Sequence, residues 1–180
     1  MVEGMRQQGR EFDFGDYQVL EELGQGGIGE AYVARPKRGE HAHGLVCLKI
    51  MGREFQAAKG SRRRAAIDSL RNEARVVSQL RHPNIARLLD SGAYNDVWFL
   101  AFELVEGANL GEILALQEPG AGLPSEYVRR IGIEVASALQ CAHEHDVLHR
   151  DIKSHIRLKR RPTLEWCIGI KTTTMSVFGL

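Results

Sequence analysis

Apolar positions fall into short dense runs over roughly the first hundred residues and recur at helical spacing elsewhere. Tyr17-Gln18-Val19-Leu20, Ala31-Tyr32-Val33-Ala34 and Leu45-Val46-Cys47-Leu48-Lys49-Ile50 are rich in β-branched and aromatic residues and predict three strands. A glycine cluster separates the first two, and the polar stretch from Pro36 to Gly44 suits a hairpin connection between the last two. Ile67, Leu70, Ala74, Val77 and Leu80 then recur at steps of 3, 4, 3 and 3, the spacing of one apolar helix face. His82-Pro83-Asn84 ends that helix, because a residue before proline is pushed out of the helical region. Further strands are predicted at Ala86–Leu89 and Val97–Phe102. After Pro119-Gly120-Ala121-Gly122, the residues Val128, Ile131, Val135, Ala138 and Ala142 predict a second core-facing helix. Strands around one helix, followed by mostly helix, make an α+β chain with a β-rich lobe before a helical one.

Composition narrows the classes. With 43% hydrophobic and 26% charged residues among 180, the chain resembles an ordinary globular protein and is not disordered throughout. A net charge of +1 offers no overall reason to bind nucleic acid or an anionic membrane. Cys47, Cys141 and Cys167 have neither metal-ligand spacing nor the even count of a disulfide framework. No apolar run approaches the roughly 20 residues of a membrane helix. Residues 1–16 read as a mobile polar extension without the apolar core of a secretory signal, so a soluble, cytoplasmic protein is expected. The charge is uneven. Residues 154–180 hold five basic residues and one acidic one, a net of +4 that leaves −3 for the rest. No amphipathic period runs through this segment, and it is read as a separate, disordered basic tail.

Three features carry chemistry. Leu23-Gly24-Gln25-Gly26-Gly27-Ile28-Gly29 contains Gly-x-Gly-x-x-Gly, in which glycine backbone approaches a phosphate without a Cβ in the way. A dinucleotide fingerprint would open a helix, whereas Glu30-Ala31-Tyr32-Val33 reads as strand, which counts against that alternative. Lys49 sits in an apolar strand and needs a partner or an anion, unless it snorkels to water from a sheet edge. Glu73 lies on the inward helix stripe, three residues after Leu70 and four before Val77, and is the candidate partner; Arg71 and Arg75 fall off that stripe and are expected to be solvated.

With Val147-Leu148-His149-Arg150-Asp151-Ile152-Lys153, the chain resembles the serine/threonine protein kinases from about Tyr17 to Lys153. The resemblance implies a kinase-like fold: an extension at 1–16, a small ATP-binding lobe at 17–102, the hinge and opening of a helical large lobe at 103–153, and a divergent tail at 154–180. It implies that Leu23, Gly24, Gln25, Gly26, Gly27, Ile28, Gly29, Glu30 and Ala31 cover ATP. Lys49 would contact its α- and β-phosphates and pair with Glu73. Phe102 would be the gatekeeper, and the backbone of Glu103 and Val105 would meet adenine. Asp151 would orient the substrate hydroxyl, with Lys153 near the transferred phosphate. The implied reaction is phosphoryl transfer from ATP to serine or threonine of a protein substrate, with no nucleic acid or membrane partner.

The likeness has gaps. Ala31 stands where the family usually has valine, and Cys47 where alanine lines the adenine roof. The asparagine expected to bind magnesium falls at Ile156, or at His155 with one deletion, and neither is a hard oxygen ligand. No Asn follows Asn109 and no Asp follows Asp151; the nearest match to Asp-Phe-Gly is Val177-Phe178-Gly179. These residues predict no metal ligands and an impaired enzyme, with a catalytically inactive, nucleotide-binding scaffold as the alternative. The abrupt change after Lys153 further predicts a truncated or frameshifted kinase domain. Surface or capping roles are expected for His41, His43, His143 and His145.

Overall fold

A computed structural model describes residues 11–39, 44–118, 121–149, 152, 157–160, 166–169 and 176–177. The chain divides into two compact units, residues 1–74 with 88–104, and residues 75–87 with 105–180.

The first unit is built on six antiparallel strands: β1 (Phe12–Phe14), β2 (Tyr17–Gln25), β3 (Gly29–Pro36), β4 (Val46–Met51), β5 (Leu88–Tyr94) and β6 (Val97–Glu103), in the order β1-β2-β3-β4-β6-β5. One sheet face buries Val19, Tyr32, Ala34, Val46, Leu48, Ile50, Phe99 and Ala101, the alternate positions that the pleat sends to one side. The short helix α1 (Arg53–Ala57) follows β4, and α2 (Ser61–Val77) presents Ala66, Leu70 and Glu73 as buried residues. Leu80, predicted to lie in this helix, is buried in the turn that follows, where its N–H donates to the Val77 carbonyl at 3.1 Å. Arg71 is exposed, as expected off the stripe, and its guanidinium also lies 4.5 Å from the Trp98 ring centroid, a cation–π contact.

The sheet begins at Phe12, inside the stretch expected to be a mobile extension. Phe12 pairs with Val19 and Phe14 with Tyr17. Phe14 is buried, its ring 5.2 Å from Tyr94 and 5.7 Å from Phe99, both edge-on. The Tyr17 hydroxyl donates to Asp90 at 2.7 Å. Burial, and then the Asp90 hydrogen bond and charge, push that phenol above its ordinary pKa, so it stays a neutral donor. These contacts curl the β1–β2 end of the sheet onto the β5–β6 hairpin. Gly15 turns between β1 and β2 with φ +56°, where an added Cβ would also lie 3.2 Å from the Tyr94 ring. Three residues with an aspartate in the middle are too short a run to announce a strand; cross-sheet aromatic packing makes it one.

In the second unit, α3 (Leu110–Ala115) starts at a capping box in which Asn109 and Glu112 each accept from the other's backbone N–H at 2.8 Å. Helix α4 (Ser125–His143) buries Ala138 and Ala142, but Val128, expected on its core face, is 55% exposed, as is Ile133 at 56%. Strand β7 (Val147–Leu148) follows α4. The tail also holds strands: β8 (Arg157–Arg160) pairs with β9 (Trp166–Gly169), and β10 (Ser176–Val177) pairs with β7. Leu158 is buried and its N–H donates to the Ala108 carbonyl at 2.9 Å. Uniform disorder of the tail is therefore not what the structure shows. Among the described residues, no helix is long and apolar enough to cross a membrane.

Because Phe14 packs against two rings, Phe14→Ala is expected to cost about 3–5 kcal/mol. Urea unfolding checks this; an unchanged midpoint would mean that β1 is not part of the cooperative fold.

Candidate nucleotide site

A strand pair, a tight turn and a helix of the first unit assemble the site. In the turn between β2 and β3, the Gly26 N–H donates to the Gly29 carbonyl at 2.8 Å. Gly24 has φ +139°, a conformation that side chains rarely adopt, and a Cβ at Gly29 would lie 2.5 Å from the Ile50 carbonyl oxygen. Gly24 is therefore required for its conformation and Gly29 for close approach. Gly24, Gln25, Gly26 and Gly27 are exposed, Leu23, Ile28, Glu30 and Ala31 half-buried. The Gly52 N–H donates to the Ile28 carbonyl at 2.9 Å, tying the turn to the end of β4. Sequence reasoning passed over Gly52, although a glycine directly after a strand was the available signal.

Register sets what lies beside the turn. Ala31 is opposite Lys49, Val33 opposite Cys47, and Cys47 opposite Phe102. Odd-numbered positions of β3 and β4 thus share the face opposite the Leu48–Ile50 core. Ala31, Val33 and Cys47 are only half-buried there, an apolar strip beside the glycine turn. Phe102 is buried, Glu103 half-buried, and Val105, at the start of the second unit's main segment, is buried.

Lys49 and Glu73 meet as the sequence predicts. The ammonium Nζ donates to both carboxylate oxygens, at 2.7 and 2.9 Å, and the two side chains are only 8% and 7% exposed. Burial pushes the Glu73 carboxyl above its usual pKa, and the charge and hydrogen bond of Lys49 oppose that rise without cancelling it. The snorkelling alternative for Lys49 does not hold, because its ammonium is buried and paired.

On the other unit, β7 leads directly to His149, which is buried. Arg150, Asp151, Lys153, His155, Ile156, Phe178 and Gly179 lie outside the described residues, as do His41 and His43.

A buried strand lysine held by a helix carboxylate beside a glycine turn is the arrangement that the kinase resemblance implies. The protein kinase domain family matches residues 17–158, five residues beyond Lys153, where the likeness was expected to stop. The chain is 36% identical over 137 residues to a probable serine/threonine-protein kinase of Clostridium perfringens, covering 76% of this chain and 18% of that protein. It is 33% identical over 141 residues to the serine/threonine-protein kinase PrkC of Bacillus subtilis, covering 78% of this chain and 20% of that one. The crystal structure of the Mycobacterium tuberculosis PknI kinase domain superposes with a TM-score of 0.69 at 27% identity, over 95% of this chain and 64% of that one. The chain belongs to the serine/threonine protein kinase family. It spans about a fifth of the length of these two curated relatives.

Removing one partner of a buried pair strands the other charge. Lys49→Met is expected to cost about 3–5 kcal/mol at neutral pH, and Lys49→Met/Glu73→Gln to recover part of it. In the single variant nothing opposes the burial-raised carboxyl pKa. The folded state then holds its proton more tightly than the unfolded chain, so stability falls as pH rises through the folded-state value. Urea midpoints measured across that range check this; the slope is expected to vanish in the double variant.

Proposed function

We propose that this chain binds ATP through its first unit, in the family of enzymes that transfer a phosphoryl group to serine or threonine of proteins. The observation that carries this reading is the Lys49–Glu73 pair, formed at 2.7 Å beside the glycine turn. The pair holds an ammonium at a fixed position on the strand that flanks the turn, ready for a phosphate oxygen. In this reading Gly24 to Ala31 cover the phosphates and sugar, and the strip of Ala31, Val33 and Cys47 faces the adenine. Phe102 limits the depth of the pocket, and the backbone of Glu103 and Val105 recognises the base edge. Asp151 orients the substrate hydroxyl and Lys153 meets the transferred phosphate.

The family uses magnesium with ATP, and transfer by this chain is expected to be impaired. An ion at the transferring phosphate supplies several kcal/mol of charge stabilisation, so weak ligation lowers the rate on the order of a thousandfold or more. A nucleotide-binding scaffold acting through partners is the second reading, favoured by the absence of Asp and Asn after Asp151. We read the tail beyond Leu158 as departed from the family sequence, and translation of the underlying DNA in the other two frames is expected to recover an Asp-Phe-Gly triplet.

Calorimetric titration with ATP tests the binding assignment: wild type binds, and Lys49→Met loses at least about tenfold in affinity. Equal affinities would sink the role of Lys49. A transfer assay with labelled ATP and a generic protein substrate separates the two readings. Robust turnover that disappears in Asp151→Asn would show an intact enzyme.

A further inference from the structure

We propose that the start of α2 is a docking surface for a carboxylate-rich segment of a partner protein. Residues 53–64 carry five cationic side chains, Arg53, Lys59, Arg62, Arg63 and Arg64, against one carboxylate, Glu54, in a chain whose net charge is +1. All five belong to the first unit. Arg63 is half-buried and the other four are exposed. The first turn of α2 contains no acidic residue. Cations there face the positive end of the helix dipole, which costs stability.

Internal contacts occupy only two of the five. The Arg62 guanidinium donates to Glu54 at 3.2 Å and lies 5.3 Å from the Phe55 ring centroid. Arg63 donates to the Asp96 carbonyl at 2.8 Å, which holds it against the β5–β6 turn. The side chains of Arg53, Lys59 and Arg64 have no hydrogen-bond or ion-pair partner among the described residues. A run of cations that opposes the helix dipole and leaves three groups unpaired gains its compensation from an external anion.

The surroundings select the kind of anion. Among the described residues, no large apolar side chain within 53–71 is exposed, so the patch has nothing to insert into a membrane surface. Glu54 and Asp96 are exposed beside Arg62 and Arg63, and Asp68 is exposed four residues after Arg64. These carboxylates would repel a continuous phosphate backbone, whereas a short peptide fits between them. Guanidinium groups match carboxylates in geometry as well as charge. Arg64 precedes Glu73 by nine residues, roughly 14 Å along the helix axis, so the surface is separate from the buried pair.

The test is fluorescence anisotropy of a labelled decaglutamate peptide titrated with the full chain in about 50 mM NaCl. Binding that weakens about tenfold or more in Lys59→Glu/Arg64→Glu, with an unchanged urea midpoint, supports the proposal. Lys59→Gln/Arg64→Gln removes the charges without reversing them and is expected to weaken binding several-fold; should charge reversal perturb folding, this variant decides. Lys159→Glu/Arg161→Glu changes the net charge equally and is expected to hold affinity within about twofold. An equal loss in that variant would show an effect of overall charge and overturns the proposal. No binding by the wild type, or undiminished binding by the α2 variants, overturns it as well. Tighter binding of oligothymidylate or of phosphatidylserine vesicles than of decaglutamate overturns the choice of partner.

Discussion

A lysine and a glutamate, both buried and separated by 2.7 Å, set the terms for the first unit. Each charge taken alone is costly to bury, and their attraction offsets that cost only when geometry is close. The requirement constrains two elements together. A one-residue slip in β4 would send Lys49 to the opposite sheet face, into the Leu48–Ile50 core. A one-residue shift along α2 would turn Glu73 away from the sheet and bring Asn72 or Ala74 round in its place. Well-packed apolar residues of similar volume often serve stability as well as a buried ion pair does. Its presence here therefore points to use of the ammonium, and the raised pKa of Glu73 shows that burial works against the charged carboxylate even beside Lys49.

The sheet that carries Lys49 is closed at one end. Phe14, Tyr17, Tyr94 and Phe99 close one end of the sheet through edge-on ring contacts, and Tyr17 satisfies its hydroxyl on Asp90. Closing that end leaves one face as a packed interior. Part of the other face, at Ala31, Val33 and Cys47, stays partly open beside the glycine turn. The turn is fixed at its far side by the Gly52 to Ile28 hydrogen bond and by the lack of room at Gly29. Rigid support on one side and exposed backbone on the other suit a loop that covers an anion.

The second unit presents a different balance. Ala138 and Ala142 pack, yet Val128 and Ile133 on α4 remain exposed. A cavity of about 270 Å³ lies among α3, α4 and β8, lined by Ile113, Tyr127, Ile131 and Leu158, with the Arg130–Glu134 ion pair among its walls. Residues 154–180 carry a net charge of +4, and the strands described within that segment are short, β8 pairing with β9 and β10 with β7.

Much of this was legible before any coordinates. Dense apolar runs located β2, β3, β4 and β6, and the steps of three and four located α2 and α4, because pleat and helix impose those periods on any buried face. The glycine spacing, Lys49 and Glu73 were legible as types in order, and their pairing followed from the cost of burying either alone. What only the tertiary structure decided was whatever depends on distant neighbours. Phe12–Phe14 became a strand because its rings meet Tyr32, Tyr94 and Phe99, remote in sequence. Arg71 meets the Trp98 ring for the same reason, while remaining exposed. Strands within the basic tail, and the burial of Leu158 against the Ala108 carbonyl, came from pairings that no local period encodes. Local periodicity reports which face a residue prefers; only long-range packing reports what meets that face.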